Sequence, residues 1–302
     1  MKVSPSVAII ILNYNTYRDT IALVEALQRQ TVVSALRIVV VDNCSPNGAF
    51  EQLQPLSERF DSVVAVIKTE ANLGYARGNN FGLRYVEEQG VAEYVAILNN
   101  DVILPDDCFE RLLYKYPRLD NACIIAPMQL TPTGEVSIFG NLGRLRDDIR
   151  LTSLLMRKLG QRKRGGDGGG GSRFEDSTAG ERALRVEMIS GSFMFARLDR
   201  FRDIGYFYPN TFLYVEERFV AHAARERGYS NYVLLDESYI HNHSVTISAT
   251  FNGYKRHKMW YTGILEYTRK CRPNGHLKAL ILLPFMAVSL LEWWVISLVR
   301  RR

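Results

Sequence analysis

Short apolar runs alternate with amphipathic stretches along the first half of the chain. Five runs are rich in β-branched residues, as buried parallel strands are; they cover residues 7–12, 36–41, 63–67, 94–98 and 123–126. Four stretches between them have apolar residues at helical spacing, at residues 20–30, 50–60, 78–89 and 107–116. This alternation predicts an α/β fold with a mostly parallel, Rossmann-like sheet and helices on both faces.

Asparagine or aspartate follows four of the predicted strands. These residues are Asn13 and Asn15, Asp42 and Asn43, Asn72, and Asn99, Asn100 and Asp101. One such residue alone is typical of a turn or a helix cap. Because ligands of parallel α/β sheets bind beyond the carboxyl ends of the strands, four polar strand ends on one edge favour a polar ligand there.

Small residues and one cation lie where the predicted helix 78–89 begins. Gly74, Arg77, Gly78 and Asn79 belong to this segment. Glycine allows a ligand to approach the backbone, and a helix N-terminus favours negative charge. We therefore expect Arg77 near a diphosphate, although a capped loop with a surface arginine explains the same residues.

Two carboxylates begin a helical pattern in the second half of the chain. Glu216 and Glu217 precede residues 218–227. Acidic residues are favoured in the first turn of any helix, which is one explanation of the pair. The other is that one of them is a general base beside an acceptor hydroxyl. Further along, His241 and His243 are candidate metal ligands, although a lone histidine is more often structural.

Several common enzyme signatures are missing from the sequence. No dinucleotide-binding Gly-x-Gly-x-x-Gly follows the first strand, and there is neither a phosphate-binding P-loop nor a nucleophile elbow. The remaining candidate site residues are carboxylates and amides, which are side chains that can bind the base and ribose of a nucleotide and a divalent cation. Asp101 suits Mg²⁺ or Mn²⁺, ions that complete their coordination with phosphate oxygens and water.

Charge is unevenly distributed along the chain. The 302 residues carry a formal net charge of +6, from 38 Lys and Arg against 32 Asp and Glu. Residues 144–164 hold eight basic and two acidic residues, and residues 255–302 hold ten and two, so the rest is acidic. This distribution argues against a nucleic-acid-binding protein and favours a membrane as partner. Glycines at residues 160–172 predict a mobile basic loop, at about 144–182.

Residues 279–299 are almost entirely apolar. A helix of these 21 residues would just cross a hydrocarbon core of about 30 Å. Pro284 and Glu292 interrupt the run, and a span would leave three terminal arginines outside, against the positive-inside tendency. We expect a helix that lies in the cytoplasmic leaflet, with a span and a packed core helix as alternatives. Scattered cysteines and a short N-terminal apolar run predict synthesis in the cytosol.

In their order along the chain, these motifs resemble the inverting family 2 glycosyltransferases with the GT-A fold, and among them the bacterial rhamnosyltransferase-like members. The resemblance covers residues 5–250. It is carried by residues 10–15, 41–45, 72–82, 98–102, 191–194 and 212–217, and by the pair His241 and Ser244.

The resemblance implies a role for each matched residue. Glu217 would be the catalytic base, with Glu216 before it. Asp101 and His241 would bind Mg²⁺ or Mn²⁺. The nucleotide pocket would be lined by Asn13, Asn15, Asp42, Asn43, Asn72, Gly74, Arg77, Gly78, Asn79 and Asn100.

The resemblance also implies an organisation of the chain. A GT-A domain at residues 1–250 would comprise a nucleotide-sugar-binding half, 1–128, and an acceptor half, 129–250. Beyond the resemblance, the apolar run and the basic residues of 251–302 predict a helical membrane-association segment that would hold the protein at the cytoplasmic face of the cell membrane.

The implied reaction is inverting transfer of a sugar, with dTDP-rhamnose as the favoured donor. The acceptor would be a glycan or a polyprenyl-diphosphate-linked saccharide of cell-surface polysaccharide synthesis. Three residues depart from the family pattern: Asn99 stands in the first acidic position of the metal motif, Glu217 replaces the usual Asp, and Phe219 fills a position that is often a second Asp. A catalytically inactive, membrane-associated nucleotide-sugar-binding homologue is therefore the alternative.

Overall fold

The computed structural model describes residues 6–90, 92–137, 142–152, 181–242 and 253–299. In this part of the chain the strands are β1 Val7–Asn13, β2 Leu36–Asp42, β3 Val64–Lys68, β4 Tyr94–Leu98, β5 Val102–Ile103, β6 Ala122–Leu130, β7 Ala183–Val186, β8 Phe193–Arg197 and β9 Ser230–His241. The α-helices are α1 Tyr17–Leu27, α2 Ala49–Leu53, α3 Pro55–Arg59, α4 Gly74–Gln89, α5 Cys108–Lys115, α6 Leu145–Thr152, α7 Leu198–Asp203, α8 Glu216–Glu226, α9 Gly253–Cys271 and α10 Gly275–Val299.

The strands of the first half are parallel, as predicted. β1 pairs with β2 and with β4, and β2 pairs with β3. Along β1, Val7, Ile9 and Ile11 pack in one apolar core, while Ala8 and Ile10 pack in another. Successive side chains of a strand point to opposite faces, so both faces of this part of the sheet are buried.

The second half makes the whole sheet mixed. The strand order is β3-β2-β1-β4-β8-β6-β9-β5, and β7 also pairs with β9. β8 is antiparallel to both β4 and β6, and β5 and β7 are antiparallel to β9, whereas β6 and β9 are parallel. An apolar run specifies a strand but not the direction of its neighbour, so the sequence pattern did not reveal these antiparallel pairs.

The helices predicted in the first half form, with shifted ends. The predicted helix at residues 50–60 is two short helices, because Pro55 lacks the amide that would continue α2 and instead begins α3 at its first position. α4 begins at Gly74, four residues before the predicted start. Gly74, Arg77 and Gly78 therefore belong to the first two turns of the helix rather than to a loop ahead of it.

Part of the predicted basic loop at residues 144–182 is helical. Residues 145–152 form α6, and Asp148 within it has no exposed surface. The glycine-rich remainder, residues 153–180, lies outside the described residues. The same holds for His243, the second histidine that the sequence analysis named.

The C-terminal helices pack on the body of the protein. α9, α10 and α8 share a third apolar core that includes Val215, Phe219, Ile264, Leu282 and Met286. α10 continues through Pro284 over the whole predicted apolar run. In the described chain it supplies one helix, Gly275–Ile296, that is long and apolar enough to cross a membrane.

Candidate functional site

Asn13 and Asp42 end neighbouring strands and contact each other. They are register partners at the carboxyl edge of β1 and β2, and neither has exposed surface. The Asp42 carboxylate accepts hydrogen bonds from Asn13 Nδ2 at 2.8 Å, from Ser45 Oγ at 2.6 Å and from the Ser45 amide at 3.1 Å. The two predicted pocket residues are therefore buried below the surface of this edge, where they bond to each other and to Ser45.

Asn43 holds the segment that leads from β3 into α4. Its Nδ2 donates to Asn72 Oδ1 at 3.1 Å and to the Gly74 carbonyl at 3.2 Å, and its Oδ1 accepts from the Leu73 amide at 2.9 Å. Gly74 has a φ of +75°, a backbone conformation that glycine adopts without steric cost. The structure thus brings the predicted residues Asn43, Asn72 and Gly74 together.

Gly78 faces the sheet, and Asn79 is enclosed within the protein. A Cβ on Gly78 would lie 2.6 Å from the Leu12 side chain, so glycine here allows α4 to pack closely on β1. Asn79 is buried and donates to the Tyr75 carbonyl at 3.0 Å. Arg77 is exposed. Within this predicted group, Arg77 is the residue whose side chain is accessible to a ligand.

Asn100 and Asn15 connect the edge to α1 and to the loop after β2. Asn100 Nδ2 donates to Thr16 Oγ1 at 2.7 Å and to Thr20 Oγ1 at 2.9 Å. Asn15 has a φ of 66°, and its amide donates to Ser45 Oγ at 2.9 Å. Thr16 and Thr20 were not predicted as part of this edge, because threonine at a helix start is typical of purely local structure.

Asp101 and His241 come from distant parts of the sequence and lie side by side. The antiparallel pairing of β5 with β9 brings them together. Asp101 Oδ1 lies 3.2 Å from His241 Nε2, and the two side chains are 7% and 10% exposed. Burial, followed by the charge of Asp101, raises the pKa of Asp19, a nearby carboxyl that the sequence analysis did not single out.

The chemistry of this pair fits a divalent cation. A carboxylate oxygen and an imidazole nitrogen converge, and ions such as Mg²⁺ take few protein ligands when phosphate oxygens and water complete their shell. Among the described residues, no group of three His, Cys, Asp or Glu side chains is placed to hold a metal by itself. Asp101 and His241 therefore suit an ion that is shared with the phosphates of a bound ligand.

Gln129 orients the His241 ring from behind. Gln129 Oε1 accepts hydrogen bonds from Ser192 Oγ at 3.1 Å and from Tyr239 Oη at 3.0 Å. Its Nε2 therefore faces His241 Nδ1, at 3.3 Å. Asn99 Nδ2 lies 3.4 Å from the other ring nitrogen, Nε2, which is the nitrogen on the side of Asp101. The sequence analysis missed Gln129, because its partners lie on other strands.

The candidate base lies at the start of α8, after two residues with left-handed backbone. Tyr214 and Val215 have φ values of 73° and 74°, which is rare for a β-branched residue such as Val215. The two following acids point to different surroundings. Glu216 is 2% exposed, whereas Glu217 is partly exposed. Of the predicted catalytic pair, Glu217 is thus the residue that keeps some exposed surface.

Both carboxyl groups hold protons more tightly than an ordinary glutamate. Burial, followed by the charge of Glu217, raises the pKa of Glu216 well above its usual range. Burial also raises the pKa of Glu217, although its own amide and that of Gly191 oppose the shift. A base with a raised pKa accepts a proton more readily, which suits Glu217 to proton abstraction near neutral pH.

A turn at residues 190–192 links the candidate base to the candidate metal pair. The Gly191 amide donates to Glu217 Oε1 at 3.3 Å. The Ser192 carbonyl accepts from the Asn99 amide at 3.0 Å, two residues before Asp101. The two predicted centres therefore lie on either side of one short turn.

A buried ion cluster fixes the first turn of α8. The Asp148 carboxylate has no exposed surface and accepts hydrogen bonds from Arg218, at 2.7 Å, and from Arg272. Both guanidinium groups also face the ring of Tyr267, at 5.9 and 5.5 Å. Arg218 directly follows Glu217, so this cluster connects α6 and the C-terminal helices to the segment that carries the candidate base.

Comparisons with known sequences bear on both the family and the activity. Residues 8–174 match the family described as glycosyl transferase family 2. Over 147 residues the chain is 30% identical to Agl10 of Haloferax volcanii, described as a low-salt glycan biosynthesis hexosyltransferase. That match covers 46% of this chain and 44% of the relative, so the chain spans less than half of the curated relative's length.

Comparisons with solved structures bear on the fold. GalNAc-T7 with UDP, GalNAc and Mn²⁺ matches with a TM-score of 0.59 at 11% identity, over 80% of this chain and 45% of that one. The mannosyltransferase PcManGT from Pyrobaculum calidifontis, in complex with GDP-Man and Mn²⁺, gives 0.56 at 14% identity over 95% and 74%. TarS 1-349 of S. aureus with UDP-GlcNAc gives 0.54 at 16% identity over 93% and 71%. The GT-A-like fold predicted from the motifs is thereby confirmed.

Proposed function

This chain belongs to glycosyl transferase family 2, and from that premise we propose that it transfers a hexose from a nucleotide-diphosphate sugar to a saccharide acceptor. A hexosyltransferase among its relatives supports the hexose. Structural neighbours that hold UDP, GDP-Man or UDP-GlcNAc support the nucleotide sugar. Within this class we favour dTDP-rhamnose as donor and a glycan or polyprenyl-diphosphate-linked acceptor, on the resemblance of the motifs.

The observation that carries this proposal is a partly exposed glutamate that one short turn links to a carboxylate–imidazole pair. Glu217 accepts from the Gly191 amide at 3.3 Å, and the next residue of that turn bonds to Asn99, beside the Asp101 motif. Sugar transfer needs both parts within the length of one substrate: a base for the acceptor hydroxyl and a positive centre for the departing diphosphate.

The proposed reaction is a single displacement with inversion. Glu217 removes the proton of an acceptor hydroxyl, while the hydroxyl oxygen bonds to the anomeric carbon from the face opposite the diphosphate. The bond from that carbon to the diphosphate oxygen breaks, and its electron pair leaves with the nucleoside diphosphate. Asp101 and His241 are the residues that would hold Mg²⁺ or Mn²⁺, whose charge stabilises the leaving group. Arg77, which is exposed, would orient the donor.

Glu217→Gln tests the assignment of the base. Loss of a general base lowers the rate of transfer by roughly 10²- to 10⁴-fold, while the thermal stabilisation by UDP or dTDP with Mn²⁺ stays at the wild-type level. Glu226→Gln, the same substitution at an exposed residue of the same helix, keeps full activity. Full activity of Glu217→Gln would contradict the assignment. Wild-type protein that binds nucleotide sugars but transfers none would support the binding-only homologue.

We further propose that α10 holds the enzyme at the cytoplasmic face of the membrane, with its axis in the plane of the bilayer. Leu282 and Met286 are buried against the body. The other side of the helix is apolar and exposed. Its residues Leu277, Leu280, Leu283, Leu291 and Trp294 are between 44% and 63% exposed. A span would pull the buried side out of its core, whereas an in-plane helix keeps it there and inserts the exposed side.

The neighbouring helix α9 carries several basic residues. Lys255, Arg256, Lys258, Arg269 and Lys270 lie on the helix that packs against α10. Anionic head groups attract such residues, and about 1 kcal/mol per residue is typical near a charged leaflet. The proposed partner surface is therefore an anionic bilayer.

Vesicle co-sedimentation tests this attachment. The full chain binds vesicles of phosphatidylglycerol more tightly than vesicles of phosphatidylcholine, and Leu280→Glu with Leu291→Glu abolishes binding to both. Val136→Glu, at a residue that is 50% exposed elsewhere, leaves binding intact. Release of wild-type protein from native membranes by carbonate indicates the in-plane helix, and retention indicates a span.

A further inference from the structure

We propose that Tyr75 positions the base: its hydroxyl holds the turn at residues 190–192 against Glu217. This inference rests on the proposed function of Glu217 and adds a residue to it. Tyr75 belongs to α4, in the half of the chain that we expect to bind the donor. It touches no reacting atom in this scheme, and it acts through Gly191.

Gly191 is hydrogen-bonded to the side chains of both Tyr75 and Glu217. The Tyr75 hydroxyl donates to the Gly191 carbonyl, and the Gly191 amide donates to Glu217 Oε1 at 3.3 Å. A Cβ on Gly191 would lie 2.8 Å from Glu217 Oε1 and 3.1 Å from Tyr75 Oη. The tyrosine and the glutamate therefore meet on the same side of this glycine, with no room for a larger residue.

Tyr75 is itself fixed at two further points. Its amide donates to the Phe212 carbonyl at 2.7 Å, and its ring packs edge to face on Phe207 with the centroids 5.5 Å apart. Phe212 belongs to the segment that leads directly into α8. One residue thus contacts both the chain that precedes Glu217 and the turn that faces it.

The hydroxyl of Tyr75 acts as a donor. Burial, followed by the charges of Glu217 and Glu216, raises its pKa well above the usual range, so the phenol keeps its proton. Without the hydroxyl, the Gly191 carbonyl loses its partner and the turn gains freedom. The amide bond to Glu217 then weakens. Displacement of a catalytic group by about 1 Å can cost on the order of 10²-fold in rate.

Tyr75→Phe in the full chain tests the proposal, because it removes one oxygen and keeps the ring on Phe207. The expected kcat is roughly 10- to 100-fold lower, while KM for the donor and the thermal stabilisation by UDP stay unchanged. Tyr85→Phe is the matched control: Tyr85 packs against the same core from the same helix, and its hydroxyl has no hydrogen-bond partner among the described residues.

A second readout does not depend on transfer. The Gly191 amide favours the ionised form of Glu217, so a looser turn raises the midpoint at which the Glu216 and Glu217 carboxyls titrate. Carbon-13 NMR of labelled glutamate, assigned by comparison with Glu217→Gln, follows that midpoint. It should rise in Tyr75→Phe and stay in place in Tyr85→Phe.

The outcomes distinguish a failure of the positioning role of Tyr75 from a failure of the proposed sugar transfer. A midpoint in Tyr75→Phe that equals that of wild type overturns the positioning role, whether or not transfer is observed. A raised midpoint in a protein that transfers no sugar supports the contact and counts against the proposed function. Gly191→Ala, which keeps the hydroxyl but fills the space between Tyr75 and Glu217, should raise the same midpoint even if Tyr75→Phe fails to fold.

Discussion

Gly74 and Phe212 are in direct backbone contact, where the predicted donor half of the chain meets the acceptor half. A Cβ on Gly74 would overlap the Phe212 carbonyl and would lie 2.9 Å from the Phe212 Cα. Gly74 also has a φ of +75°. This glycine therefore serves two purposes, a left-handed start for α4 and a close approach of the segment that precedes the candidate base.

Gly74→Ala is expected to destabilise the protein by clearly more than about 1 kcal/mol, because backbone strain and overlap with another backbone add up. Gly90→Ala is the matched control: Gly90 has a φ of +62° and nothing within 4 Å of an added Cβ. Denaturant unfolding of both variants separates the two costs. If Gly74→Ala and Gly90→Ala lowered the free energy of unfolding equally, the overlap with Phe212 would add nothing to the cost of Gly74→Ala.

Glu216→Gln is expected to make stability less dependent on pH. The folded protein raises the pKa of Glu216, so it retains a proton that the unfolded chain releases. Stability therefore falls as pH rises above the ordinary glutamate value of roughly 4.3. A glutamine cannot ionise. As pH rises from 5 to 8, the melting temperature of wild type should therefore fall relative to that of the variant. Glu226→Gln should show no such difference.

Asp148→Ala is expected to cost roughly 3–5 kcal/mol, because it leaves Arg218 and Arg272, whose side chains are only 14% and 12% exposed, without the acid that pairs with both. The exposed pair of Asp106 and Arg29, at 3.6 Å, provides the comparison. Asp106→Ala should cost about 1 kcal/mol or less. Unfolding by urea measures both. Similar small losses in the two variants would mean that Asp148 does not anchor the first turn of α8.

Asp101→Asn is expected to weaken Mn²⁺-dependent binding of UDP by at least about tenfold, since even residues that only support metal ligands often contribute 10- to 100-fold. Thermal shifts with UDP, recorded over a Mn²⁺ titration, measure the effect. Asp120→Asn, at an exposed residue, should match wild type. A Mn²⁺ response in Asp101→Asn equal to that of wild type would place the ion elsewhere.

Local patterns predicted the elements of the first half well. β1, β2 and α4 follow from runs of β-branched residues and from helical spacing, because such side chains determine their own secondary structure and which face is buried. The break at Pro55 was missed, although proline's missing amide is a sequence-level signal. The antiparallel pairings that involve β8, β5 and β7 were not predicted, because strand direction depends on partners that are far away in the sequence.

The candidate site, too, was predictable from the sequence only in part. The sequence by itself determined which residue types end the strands and which acids begin α8, since both follow from chain order and local chemistry; Asp42, Asp101 and Glu217 were named from it. Only the tertiary structure decided that Asp42 is enclosed by Asn13, that Asp101 meets His241, and that Glu217 rather than Glu216 keeps exposed surface. Burial and hydrogen bonding depend on what the fold brings within about 3 Å, and neighbours in sequence do not specify that.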